Sequence, residues 1–135
     1  MADRRKQLVI AAGSLLGTGL LLLLVLSLGG WAYRHRHFTL HDGRLRRLVA
    51  QHPTADRVSR GILDEPGSWS IPAPDTEAGL RALAERWSKG RADEVVAKRR
   101  QWSDVLVFGV RDVAYVLYFD KESKLRDYVL LADPP

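Results

Sequence analysis

The sequence predicts a single transmembrane helix followed by a small α+β domain, with two to four short helices and then a three-stranded antiparallel β-meander. Two observations carry this. Residues 7–33 contain no Asp, Glu, Lys or Arg, while residues 34–135 hold 18 of the 21 basic and 15 of the 16 acidic side chains. Beyond the apolar stretch, hydrophobic periodicity runs first at about 3.6 and then, from residue 105, at 2. The expected organisation is a basic tail over residues 1–6, a transmembrane helix over 7–33, a juxtamembrane basic segment with a short helix over 34–52, and the α+β domain over 53–135.

The first element follows from bilayer thickness. A hydrocarbon core of about 30 Å needs roughly 20 apolar residues in a helix, and Leu8 to Leu28 supply them around the run Leu20 to Leu26. Helix is the conformation in which one segment satisfies all its backbone groups in lipid. The expected membrane-interface residues are Arg4, Arg5 and Lys6 at one end and Trp31, Tyr33, Arg34 and Arg36 at the other, with the aromatics at headgroup depth. A cleaved signal peptide is the competing reading. Against it stand an apolar core longer than ~7–15 residues and no clear small-x-small site before the charged run. The expected anchor is therefore an uncleaved signal-anchor. No ionisable residue interrupts it, which disfavours a pump, channel or proton relay built from this helix alone. Gly13 and Gly17 form a GxxxG spacing, a candidate helix-packing face.

Orientation rests on Lys and Arg near the ends. Three precede the span and five follow it up to residue 47, which taken literally keeps the domain in the cytoplasm. The three N-terminal charges abut the apolar run, however, and whole domains translocate largely regardless of their own charge. The reading adopted is an outside domain, periplasmic in a bacterium, over a cytoplasmic one.

His35, His37 and His41 follow, interleaved with Arg. Cations around a metal site raise its cost, so these read as a basic, aromatic collar rather than as ligands. Asp42 is the expected N-cap of a short helix over residues 42–52, with Leu45, Leu48, Val49 and His52 on one face and Pro53 ending it. A further helical turn or two over Thr54 to Leu63 places Ala55, Val58 and Ile62 inward. Three prolines and a glycine between Glu65 and Pro74 predict a loop. Its Trp69 is expected to tuck onto the domain, with a partner contact as the other use of that ring. Residues 76–89 predict a helix capped by Asp75 and stopped at Gly90, with the stripe Leu80, Leu83, Ala84 and Trp87. A second helix over Asp93 to about Trp102 carries the Lys98, Arg99 and Arg100 triplet, expected largely in water. With Trp69 it makes up the candidate partner surface.

The meander is read from Val105 to Val110, Val113 to Phe119 and Leu125 to Leu131, joined by loops too short for anything but antiparallel neighbours. Val113, Tyr115, Leu117 and Phe119 should share one face of the middle strand and Ala114, Val116 and Tyr118 the other. In the last strand, Leu125, Val129 and Leu131 should face the core, with Arg126 and Tyr128 outward.

No cysteine is present, which excludes disulfides and thiolate chemistry. Residues 34–135 sum to only +3, too balanced for a nucleic-acid binder. No phosphate loop occurs, and no nucleophile, base and oxyanion set assembles. The sequence thus implies no cofactor and no metal. It points to a non-catalytic, membrane-anchored accessory or scaffolding subunit of a membrane protein complex, whose partners are the lipid bilayer and other membrane subunits. The alternative is a membrane-tethered sensing or ligand-binding module, with a pocket between Trp69, Trp87, Trp102 and the sheet.

Overall fold

A computed structural model describes residues 2–132. The chain divides into two compact units, one up to His37 and one from Phe38 onward.

The first unit is helix throughout, part of α1 (Ala2–Gln51). It is long and apolar enough to cross a membrane, and none of its most apolar stretch is buried. From Leu8 to Leu28 the large apolar side chains leave between 58 and 76% of their surface exposed. Thr18 Oγ1 donates to the Ser14 carbonyl at 2.8 Å, and Trp31 stacks on His35 with ring centres 5.3 Å apart.

The second unit is built on one four-stranded antiparallel sheet in the order β1 (Ser68–Ile71), β2 (Asp104–Val110), β3 (Val113–Phe119), β4 (Leu125–Leu131). The three expected strands are present, and the β3 alternation holds. Val113, Tyr115, Leu117 and Phe119 join one core with Leu45, Val58 and Ile62. Ala114, Val116 and Tyr118 join another with Leu80, Ala84 and Val95. The end of α1 and α2 (Ala55–Leu63) therefore cover one face, while α3 (Glu77–Trp87) and α4 (Ala92–Gln101) cover the other. Every residue of β3 is buried because it is central in both directions.

Four local expectations are corrected. The segment around Trp69 is not all loop: Ser68–Ile71 pairs with β2, Trp69 opposite Gly109. Pro66 and Pro72 bracket the strand rather than interrupt it, as suits an edge position. Asp42 caps nothing, because α1 runs unbroken through it to Gln51. His52 is exposed, left-handed at φ 47°, and outside the helix it was expected to complete. The cap of α3 is Thr76, not Asp75; its side chain accepts from the Gly79 N–H at 3.1 Å, and the helix ends at Ser88 before Gly90 is reached.

The β4 pattern changes for a clear reason. Phe119 pairs with Leu125 but Tyr118 pairs with Asp127, so a bulge at Arg126 shifts the parity. Leu125 then faces the α1–α2 core while Val129 and Leu131 face the α3–α4 core. Tyr128 turns toward α1 instead of outward.

The open stretches of sheet edge are covered piecemeal. Leu125 donates to the Pro53 carbonyl at 2.9 Å, and its own carbonyl accepts from His52 Nδ1 at 3.2 Å. The Tyr128 N–H meets Asp127 Oδ1 at 2.8 Å, and the Tyr128 carbonyl accepts from Lys98 at 3.1 Å. Where β2 extends past β1, Val105 N–H meets Asp104 Oδ1 at 2.8 Å. Side chains that occupy edge groups discourage indiscriminate strand pairing.

Candidate functional site

A set of polar groups converges along a seam between the inward stripe of α1 and the sheet. Phe38, His41, Asp42, Leu45, Leu48 and Val49 follow i, i+3, i+4, i+7 spacing, so they share the helix face that meets the sheet. Phe38, Leu45, Leu48 and Val49 pack into the core. The two polar members of the stripe sit opposite the two tyrosines on this face. His41 Nδ1 is hydrogen-bonded to the hydroxyl of Tyr115, a fully buried side chain on β3. Tyr128 on β4 donates its hydroxyl to Asp42 Oδ1 at 2.6 Å. Arg46 Nε reaches both Asp42 Oδ2 at 2.9 Å and the Tyr128 hydroxyl at 3.3 Å.

Arg44 extends the network by pairing with Glu65, just ahead of β1. The hydrogen bond that Arg44 donates to Glu65 raises its guanidinium above the usual value, so it is a fixed cation. Burial pushes the Tyr115 phenol up, with the nearby Arg44 charge pulling in the opposite direction. Burial and then the bond to Asp42 raise the Tyr128 phenol. Both phenols therefore stay protonated near neutrality and serve as hydroxyl partners, not as phenolates. Chemically the seam is a set of matched donors and acceptors that holds the last turns of α1 against β3 and β4.

Beside the seam, a cleft of about 240 Å³ lies between α1 and α2, lined by Arg44 and Arg57 over Leu48, Val58 and Ile62. On the opposite face of the sheet the three tryptophans are engaged with the domain. Trp69 stacks on Trp87 with centroids 5.0 Å apart and donates Nε1 to the Arg111 carbonyl at 2.8 Å. Its ring lies directly over Gly109, where an added Cβ would stand 2.0 Å from the indole. Trp102 packs against the same core, with its Nε1 buried and without a hydrogen-bond partner.

The residues singled out from sequence are placed as follows. Arg4, Arg5, Lys6, Trp31, Tyr33, Arg34 and Arg36 are all exposed on the first unit, and Gly13 and Gly17 have open space where a Cβ would lie. The Lys98, Arg99 and Arg100 triplet has three separate intramolecular partners. Lys98 meets Asp127 at 2.9 Å, Arg99 donates to the Trp102 carbonyl at 3.0 Å, and Arg100 forms a forked pair with Glu77 at 2.6 and 2.8 Å. The sequence reading missed His41, Asp42, Tyr115 and Tyr128 as a group. The available signal was the helical stripe itself, which continues backward from Leu45 through two polar residues. Two polar residues on an inward stripe imply buried partners.

Comparison with protein-family models, with curated proteins and with solved structures finds no match to this chain.

Proposed function

We propose that this protein is a single-pass, membrane-anchored accessory or scaffolding subunit of a membrane protein complex, non-catalytic, with its folded domain on the outer side of the membrane. The observation that carries the reading is the wholly uncovered apolar surface from Leu8 to Leu28. Contiguous apolar patches of more than a few hundred Å² are rare on water-soluble monomers. Lipid, or the helices of partner subunits within lipid, is the environment in which such a surface is stable. Gly13 and Gly17, with no neighbour over either, supply a place for a partner helix to approach closely.

The folded unit supports a scaffolding rather than a chemical role in a positive sense. Its polar seam pairs two hydroxyls with a histidine and a carboxylate, and an arginine with a glutamate, in contacts suited to holding helix against sheet. Its sheet is sandwiched between helices from both sides, which makes a stiff platform.

The test is extraction and native mass measurement at native abundance. The protein should remain with the membrane after alkaline carbonate washing and leave in mild detergent together with other chains. Replacing Gly13 and Gly17 with Ile should weaken that association, and a C-terminal reporter should label from outside. Release by carbonate, or a solitary monomer in mild detergent, refutes the proposal; a reporter accessible only from the cytoplasm refutes its orientation.

A further inference from the structure

We propose that the cleft between the end of α1 and α2 binds the acidic head of an anionic amphiphile, a phosphate or carboxylate carried on a short apolar segment. The site is independent of the accessory-subunit reading.

Two observations converge on it. The first is the lining. Leu48, Val58 and Ile62 supply an apolar floor, and Arg44 and Arg57 stand at the rim. Arg44 is neutralised by Glu65. Arg57 has no ion pair or hydrogen-bond partner among the described residues, so its charge is available to a ligand. At about 240 Å³ the cleft has room for roughly eight heavy atoms by the volume of liquid water, which suits a headgroup and its first few carbons.

The second is Gly61, which lines the same cleft. It lies inside α2, where glycine costs about 1 kcal/mol relative to alanine. Nothing in the fold requires it: an added Cβ meets no atom within 4 Å, and its φ is not left-handed. A side chain at this position would project from a residue that lines the cleft. The glycine leaves open a space that the protein itself does not fill.

The uncompensated Arg57 charge attracts anions, and the apolar lining selects those with a hydrophobic continuation.

The experiment uses the full chain, ¹⁵N-labelled, in neutral maltoside micelles. Hexyl phosphate is titrated in, with hexanol as the uncharged control, and the amide signals of Gly61 and Arg57 are followed. Phosphatidylglycerol against phosphatidylcholine, added to the same micelles, forms the second arm. The expected result is a saturable shift with hexyl phosphate, none with hexanol, and weakening as salt rises. Arg57→Glu should reduce affinity at least tenfold. Gly61→Leu should abolish binding while leaving the thermal midpoint equal to or above that of the parent, which separates a blocked cleft from a damaged fold. Saturation by phosphatidylglycerol at the same amides identifies a membrane lipid as the source, and saturation by hexyl phosphate alone a soluble amphiphile; each supports the site. Equal binding of hexanol, unchanged affinity in either variant, or no saturable shift with either anionic probe overturns it.

Discussion

Gly109→Ala tests the packing of the α3–α4 face at its tightest point. The new methyl would sit 2.0 Å from Trp69 Cζ2 and 2.1 Å from Cε2, far inside van der Waals contact. The backbone of β2 cannot retreat, because it is paired on both sides, with β1 and with β3. The indole must therefore move. Moving it forfeits the stack on Trp87 and the bond to the Arg111 carbonyl. The stack is worth about 0.5–1.5 kcal/mol beyond burial, and the bond a net of about 0.5–1.5 kcal/mol. With part of the ring's burial also lost, the expected cost is about 2–4 kcal/mol. For a domain of this size that lowers the thermal midpoint by roughly 10–20 °C. The assay is thermal and urea unfolding of the full chain in maltoside micelles, followed by near-UV circular dichroism and tryptophan emission. A double-mutant cycle isolates the clash. Trp69→Ala destabilises on its own, but Gly109→Ala added to it should cost under about 0.5 kcal/mol, since the obstructing ring is gone. A single Gly109→Ala variant within 0.5 kcal/mol of the parent, or full additivity in the cycle, would refute the reasoning.

Four further outcomes follow from the same structure. Leu45→Ala removes a fully buried side chain from the α1–α2 core and should cost about 2–5 kcal/mol in urea unfolding. Tyr115→Phe removes the hydroxyl bonded to His41 Nδ1 in the seam and should cost about 0.5–1.5 kcal/mol, with the nearest α1 amides losing hydrogen-exchange protection first. The Asp120 carboxyl is held below its usual value by Arg126 and by the Lys124 and Glu122 backbone N–H groups. Its stabilisation is therefore present above the unfolded value of about 3.9 and is lost as pH falls through the lower folded value. The gap in unfolding midpoint between the parent and Asp120→Asn should accordingly be constant near neutrality and close under acid. Ser123 holds φ 59° in the β3–β4 turn and contributes only backbone bonds; Ser123→Gly should raise stability by roughly 0.5–1 kcal/mol after glycine's entropy cost, measured by thermal midpoint.

Much of this molecule was legible in its residues because burial leaves a periodic trace. The apolar stretch before residue 33 is uniform around the helix and needs no partner to be recognised. The split of β3 into two apolar sets followed from strict alternation, and the stripe Leu80, Leu83, Ala84, Trp87 from helical spacing. Those features are local: each depends on the side-chain direction of one element.

What tertiary structure alone decided involves pairs distant in sequence. Ser68–Ile71 became a strand because β2 presents an edge to it, and Gly109 accepts the Trp69 ring that would otherwise have no seat. The face taken by Leu125 depends on a bulge visible only in the pairing of β4 with β3. From sequence His41 read as part of a basic collar and Asp42 as a helix cap; the hydroxyls of Tyr115 and Tyr128, more than seventy residues away, are the partners they meet. The cleft lined by Arg57 and Gly61 likewise exists only once two helices lie side by side. A sequence records which face of an element is apolar, but the partner that meets a polar group on that face is set by packing.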